Sequence, residues 1–215
     1  MADQVNTASS FQEVDALTKI RRFSLLSIVG FLIATVSIIP GIILLSSFRS
    51  VTTPTNSATP FLLSDSPVIA LVFIVAIVSA VILFVAFLSL RSGYRIMKGI
   101  STDFNSAYIG TTLYIVGLVI IVLGSLIIIA AAVVGLVALI VAVIIIIVGA
   151  IMAFIGTILA LIVGTFRLNS RYGSFTLPAV LYVVGMFFSL FSFIAAILMY
   201  TRTGRAITKL KGGPQ

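Results

Sequence analysis

Apolar residues form long unbroken runs along this chain instead of alternating with polar residues. The longest run, residues 108–166, is 59 residues long and contains no Asp, Glu, Lys or Arg. A single helix of that length would extend about 88 Å, whereas the hydrocarbon core of a bilayer is about 30 Å thick. The run therefore predicts a helical hairpin that turns near residues 130–135, where the side chains are small.

Three shorter apolar runs, at residues 23–48, 67–90 and 176–200, are each long enough to cross a bilayer as a helix. Continuous runs are typical of helical spans, whereas the strands of an outer-membrane barrel alternate between apolar and polar residues. With hairpin arms at 108–130 and 136–166, the pattern predicts an all-α fold. The expected architecture is a polytopic transmembrane helix bundle of five spans with a long central helical hairpin. The alternative is six spans, with the hairpin divided into three short crossings.

The Lys and Arg residues orient this bundle, because cytoplasmic loops of membrane proteins carry an excess of positive charge. With five spans, the amino terminus and the two basic connectors share one side and hold eight bases, and the other side holds five. Six spans change the count to ten against three. Both arrangements predict a multi-pass protein of the cell membrane with a cytoplasmic amino terminus.

Polarity divides the chain into three regions. Residues 1–22 are predicted to form an amino-terminal tail and an interfacial amphipathic helix. Residues 23–201 form the transmembrane helix bundle, and residues 202–215 form a basic carboxy-terminal tail.

A capping box predicts where the amphipathic helix begins. Ser10 and Glu13 have the required spacing, and in such a box each side chain satisfies a backbone N–H group of the other residue. Phe11, Val14, Leu17 and Ile20 or its neighbours follow at helical spacing, and we expect them to face the bilayer.

Composition limits the chemistry that this chain can perform. The chain is 61% hydrophobic and 8% charged, with no Cys, His or Trp, whereas a soluble domain carries about 25% charged residues. Disulfides, thiolate nucleophiles, imidazole metal ligands and histidine bases are therefore excluded. No carboxylate pair or activated nucleophile is evident, so we expect no enzymatic activity, no cofactor and no metal. The net charge of +8 does not indicate nucleic acid, because the bases lie beside the ends of spans.

Five glycines of the long run have the spacing of a helix-packing face. Gly110, Gly117 and Gly124 are seven residues apart, as are Gly149 and Gly156, and this spacing returns a residue to nearly the same face of a helix. Small residues let helix backbones approach closely in lipid. We therefore interpret the glycines as packing contacts, with a flexible gating hairpin as the alternative.

A second pattern consists of basic residues. Arg91, Arg95 and Lys98 stand at positions i, i+4 and i+7, which makes one stripe if the second span continues as a helix. Such a stripe is a candidate contact for lipid head groups, although anchoring of the helix end is the simpler interpretation. Asp103 is close enough in sequence to pair with one of these bases. Membrane lipids are the predicted partners, followed by other membrane proteins or a second copy of the chain.

These features favour a structural or accessory role in the membrane, because ionisable groups at membrane depth, which transporters normally need, are missing from the apolar runs. The alternative is a transport or channel component with a hydroxyl-lined path. That path requires the hydroxyl-bearing faces of the first and third spans to converge. The candidate hydroxyls are Thr35, Ser37, Thr111, Thr112 and Tyr114.

Three segments together resemble a known family. Residues 15–27 (DALTKIRRFSLLS), 91–97 (RSGYRIM) and 108–117 (YIGTTLYIVG) are similar to the uncharacterised archaeal membrane family catalogued as domain of unknown function 973. The resemblance covers most of the chain. It implies an integral membrane protein of thermophilic archaea with no assigned activity, and it supplies no catalytic residues.

Overall fold

The computed structural model describes residues 2–36 and 67–212. In these residues the protein is helical apart from short connections, with no β-strand, which confirms the all-α prediction. Six helices follow one another: α1 Ala2–Val36, α2 Pro67–Ile100, α3 Asn105–Val134, α4 Leu136–Tyr172, α5 Thr176–Gly185 and α6 Ser189–Lys211. A 3₁₀ turn at Thr102–Phe104 links α2 to α3, and α4 contains a π-helical stretch at Ile158–Val163.

Three helical segments in the described part of the chain are long and apolar enough to cross a membrane. They are Ile77–Ile100, Thr102–Ile128 and Leu136–Tyr172. Residues 37–66, which include the second half of the predicted first span and Ser37, lie outside the described residues.

The long apolar run folds as two helices that turn at Gly135. Gly135 has a φ angle of 106°, a left-handed conformation that side chains other than glycine rarely adopt. Helix α3 ends at the residue before it and α4 begins at the residue after it. The turn thus lies at the end of the predicted segment 130–135, and α3 and α4 pack against each other in antiparallel directions.

All five predicted packing glycines lie in the seam between α3 and α4. Near the turn, Gly124 approaches the backbone of Ala142, and farther from the turn Gly110 approaches the backbone of Ala160. In the middle, Gly117 and Gly149 lie directly against each other, and Gly156 approaches the backbone of α3. Glycines on both helices therefore bring the two backbones into contact along most of the hairpin.

Helix α1 packs antiparallel to α2 and to α6. On the α2 side, Gly93 lies against Ile20 and Gly30 lies against Leu83. On the α6 side, the rings of Phe31 and Phe193 stack with their centroids 4.7 Å apart. The buried core concentrates where the helices α1, α2, α4 and α6 meet, and its largest fully buried apolar side chains include Leu17, Ile20, Leu90, Tyr94, Met97, Phe104, Leu168, Phe175 and Met199.

The expected orientation of the amino-terminal helix is wrong. Helix α1 runs without a break from Ala2 to Val36. Leu17 and Ile20 do not face the bilayer, since both are fully buried against other helices. Gly93 explains the difference, because its missing side chain lets α2 approach this face of α1 closely. Phe11, by contrast, is exposed.

The predicted fifth span, residues 176–200, is not one continuous helix. Helix α5 ends at Gly185, and α6 begins at Ser189 after Phe188, whose backbone is extended. A β-carbon placed on Gly185 would lie 2.6 Å from the amide nitrogen of Ser192. Residues seven apart in one helix are separated by about 10 Å along its axis. The chain therefore turns back at residues 186–188, and α5 packs against α6.

The predicted carboxy-terminal tail is also helical for most of its length. Helix α6 continues to Lys211, and Thr203, Ala206 and Ile207 are buried. Residues 202–211 thus belong to the packed bundle, because one face of this segment is covered by α1.

Replacing Gly117 with Leu is expected to lower the melting temperature of the protein in detergent more than replacing Ser125 with Leu. A β-carbon on Gly117 would lie 2.6 Å from both the Ala153 amide nitrogen and the Gly149 carbonyl oxygen, so the helices would have to separate. Overpacking of this kind costs about 1–3 kcal/mol. Ser125 is exposed and its hydroxyl bonds within its own helix. Equal melting temperatures would contradict the packing seam.

Candidate functional site: the basic end of the bundle

The basic residues gather at one end of the bundle. Of the thirteen Lys and Arg residues, Arg49 lies outside the described part of the chain, and the other twelve lie at this basic end. Residues 13–21 of α1 contact the other helices that carry these basic residues. The Lys19 carbonyl accepts a hydrogen bond from Ser89 of α2 at 2.9 Å, and the Arg21 guanidinium lies 4.3 Å from the ring centroid of Tyr200 in α6.

Glu13 joins α1 to the carboxyl end of α4. Its side chain is largely buried, and each carboxylate oxygen has a partner. Arg171 donates to Oε1, and the Tyr172 hydroxyl donates to Oε2 at 2.9 Å. The same hydroxyl lies 3.8 Å from the sulfur of Met97, so α2 also borders this ion pair. We call Glu13, Arg171 and Tyr172 the Glu13 junction.

The predicted capping box is therefore wrong, because Glu13 bonds across the bundle. The physical reason is the position of the helix start. Helix α1 begins at Ala2, so Ser10 and Glu13 lie inside it and the backbone N–H groups there need no cap. Sequence reasoning missed the Glu13 junction because its members are separated by 158 and 159 positions.

The three residues of the predicted basic stripe all lie on α2, but they face two different neighbouring helices. Arg91 donates to the Thr112 hydroxyl at 3.1 Å and to the Tyr108 hydroxyl at 3.2 Å. Lys98 lies 5.1 Å from the centroid of the same Tyr108 ring. Arg95 instead borders a groove that faces α1, beside Asp15. Arg91 and Lys98 thus hold α2 to α3, while Arg95 is exposed on the other side.

Asp103 does not pair with these bases among the described residues. The Ser101 hydroxyl donates to its carboxylate at 3.1 Å, and the Asp103 amide lies 3.3 Å from that hydroxyl oxygen. The turn between α2 and α3 explains this, because Ser101 caps the 3₁₀ turn in which Asp103 lies.

A further contact that sequence reasoning missed lies between α2 and α4. Tyr94 is fully buried, and its hydroxyl donates to the carbonyl of Ala160 at 3.0 Å. Ala160 lies in the π-helical stretch of α4. Gly164, the first residue after that stretch, leaves room for the tyrosine ring. The only signal in the sequence is that small residue.

Among the described residues, the hydroxyl groups of the candidate path do not converge, and Ser37 lies outside the described part of the chain. Thr35 donates to a carbonyl of its own helix, and Thr111 and Thr112 both donate to the Tyr108 carbonyl. The Tyr114 ring stacks on a phenylalanine of α2 at a centroid distance of 3.6 Å. These groups stabilise helices and helix contacts instead of lining a shared path.

The chemistry of the basic end is electrostatic. In the described ranges 2–36 and 67–212, no group of three or more His, Cys, Asp or Glu side chains is placed to hold a metal ion. The two ion pairs found there are Glu13 with Arg171 and Asp15 with Lys19. Most of the positive charge therefore has no carboxylate partner in this part of the protein, so the basic end presents a surface that attracts anions.

Replacing Glu13 with Ala is expected to reduce the free energy of unfolding by about 2–3 kcal/mol, because the Arg171 guanidinium and the Tyr172 hydroxyl lose a shared acceptor. The matched control is Asp15→Ala. Asp15 pairs with Lys19 on the exposed surface of one helix at 3.1 Å, and such pairs contribute less than about 1 kcal/mol. Equal losses for the two variants in a denaturant titration of the detergent-solubilised protein would contradict the junction.

Comparison with known proteins places this architecture in a family. The family model described as Protein of unknown function (DUF973) matches residues 13–215, from the glutamate of the junction to the last residue. No curated protein and no solved structure matched the chain. The match confirms the resemblance carried by the three sequence segments. The chain therefore belongs to the DUF973 family of proteins of unknown function.

Proposed function

We propose that this chain is a multi-pass integral membrane protein with a structural or accessory role, and that its basic end faces the cytoplasm. The observation that carries the proposal is the position of the bases. Twelve of the thirteen Lys and Arg residues lie at one end of the described helices. Cytoplasmic segments of membrane proteins carry such an excess.

In this proposal the first crossing is the apolar run that the sequence predicts at residues 23–48, of which α1 contains the described part, and α2, α3 and α4 supply three more. The contacts between neighbouring helices support alternating directions, since α1 and α2 pack antiparallel and α3 and α4 pack antiparallel. The basic residues that end α2 and the basic residues that end α4 then return to the side of the amino terminus. Only Arg49 is expected on the other side. Twelve bases against one is a stronger charge bias than the eight against five of the five-span topology.

Helices α5 and α6 enter from the basic end and return to it. Helix α5 has ten residues, so it is about 15 Å long and reaches about half of the hydrocarbon thickness. Nonhelical backbone at membrane depth needs internal hydrogen bonds. The turn meets this need through backbone hydrogen bonds. The Met186 amide donates to the Val183 carbonyl, and the amides of Phe187 and Phe188 both donate to the Val184 carbonyl. Four crossings and one half-depth hairpin thus replace the predicted five spans.

The structural or accessory role rests on how the buried polar groups are used. The Glu13 carboxylate binds α4, the Tyr94 hydroxyl binds the α4 backbone, and the Arg91 guanidinium binds α3. Each of these groups joins two helices, so the basic end is a rigid assembly of helix contacts. A rigid positively charged face is suited to holding membrane lipids or another membrane component in place.

Transport is a second candidate, and one observation favours it. A cavity of about 210 Å³ lies beside the break between α5 and α6. Its lining is mostly apolar, and its polar residues are Ser27, Tyr182 and Ser192. The Tyr182 hydroxyl is buried without a hydrogen-bond partner in the described part of the chain. Broken helices with polar groups near the bilayer midplane form substrate sites in many transporters.

Permeability measurements in proteoliposomes distinguish the two roles. We expect the light-scattering response to a glycerol gradient and the response of a trapped pH dye to match those of protein-free liposomes, because a structural component opens no path. The control is the Tyr182→Phe variant, which removes the unpartnered hydroxyl. A wild-type rate above that of empty liposomes that changes in this variant would contradict the structural role and favour transport.

A further inference from the structure

A groove between α1 and α6 lies on the outer surface of the basic end. Its volume is about 590 Å³, and α1 contributes Arg21 to its lining. Helix α6 contributes the remaining residues, which include Tyr200, Gly204, Arg205, Thr208 and Lys209. We call it the Arg21 groove.

The Arg21 side chain is held in place without an anionic partner among the described residues. Its guanidinium carbon lies 4.3 Å from the ring centroid of Tyr200, a cation–π contact that fixes the side chain across the groove. Its Nε atom is buried and has no hydrogen-bond acceptor in the described residues. A β-carbon on Gly204 would come within 3.4 Å of the guanidinium, so glycine keeps this side of the group open.

Within residues 2–36 and 67–212, no carboxylate compensates the charge of the Arg21 groove. Three bases, Arg21, Arg205 and Lys209, line it together with no acidic residue. The carboxylates that form ion pairs in the described segments are occupied by Lys19 and Arg171, neither of which lines the groove. Three positive charges around one concave surface favour an anion with several oxygen acceptors.

The depth of the groove indicates the source of that anion. On α1, Arg21 precedes the apolar residues that begin at Phe23, and on α6, Tyr200 follows the apolar first half of the helix. In the proposed membrane placement, these positions lie at the level of the lipid head groups. We infer that the Arg21 groove binds the phosphate group of an anionic membrane lipid.

This site differs from the basic stripe at residues 91–98. The Arg91 guanidinium already donates to the hydroxyls of Tyr108 and Thr112, so two of its donor groups are occupied. The Arg21 groove, in contrast, is lined by the half-buried Arg21 and by the exposed bases Arg205 and Lys209. The inference rests on the proposed membrane placement, because a lipid must reach the groove from the bilayer.

Lipid retention measured by native mass spectrometry tests the site. The full-length protein in uncharged detergent is titrated with dioleoyl phosphatidylglycerol and, separately, with dioleoyl phosphatidylcholine. The test variant is Arg205→Gln with Lys209→Gln, which leaves the Arg21 contact to Tyr200 intact. The matched control is Arg22→Gln with Lys211→Gln, which removes two exposed charges at the same end but outside the groove.

One phosphatidylglycerol is expected to bind the wild type and the control with similar affinity, and to bind the test variant roughly tenfold to thirtyfold more weakly. Melting temperatures of the two double variants report whether both remain folded. Equal weakening in both variants, or equal retention of phosphatidylcholine and phosphatidylglycerol, would overturn the inference. Displacement of the lipid by millimolar inorganic phosphate would assign the groove to free phosphate ions and overturn the lipid assignment, whereas retention supports it. The membrane placement would remain supported if only lipid binding failed, because it rests on the positions of the bases.

Discussion

Exclusion of charge from the long apolar helices is the constraint on which the rest of this structure depends. The apolar run of 59 residues contains no charged side chain, and in the proposed membrane placement an ionised side chain at that depth would be costly. Charged and apolar residues are therefore concentrated at opposite ends of the helices. Twelve bases and a buried glutamate occupy one end of the described helices, and the far part of the α3–α4 hairpin is almost entirely apolar.

The two ends are held together by different contacts. In the proposed membrane placement, lipid supplies no hydrophobic drive between helices, so both kinds of contact are needed. In the hairpin, Gly117 and Gly149 bring two backbones into van der Waals contact, and no polar side chain is needed. At the basic end, Glu13, Arg171 and Tyr172 join helices that are far apart in sequence. The polar contacts thus fix which helices meet at the basic end, and the glycines set how closely the hairpin arms approach.

The sequence predicts the parts of the fold that depend on local pattern. Run length predicts the apolar helices, and the spacing of Gly110, Gly117 and Gly124 identifies the face that the structure packs against α4. Local pattern does not predict contacts between residues that are far apart in sequence. It also does not show whether an apolar face meets lipid or another helix. The spacing of Leu17 and Ile20 along the helix is the same whether they face lipid or pack against α2. The break at residues 186–188 consists of Met, Phe and Phe, without proline or charge, so hydropathy shows one uninterrupted span. Glu13 has a local capping pattern that conceals its contact with α4.

Labelling of single cysteines on intact cells tests the central claim most directly, and the lack of native Cys provides a clean background. Cysteines are placed at Ser101 and Ser170 beside the basic ends of α2 and α4, at Leu136 beside the hairpin turn and at Gly212 after α6. An impermeant thiol reagent is predicted to reach Leu136 alone, and Ser101, Ser170 and Gly212 are predicted to react only after permeabilisation. Labelling of Gly212 from outside while Ser170 stays protected would mean that residues 176–200 cross the membrane, and it would contradict the single basic face.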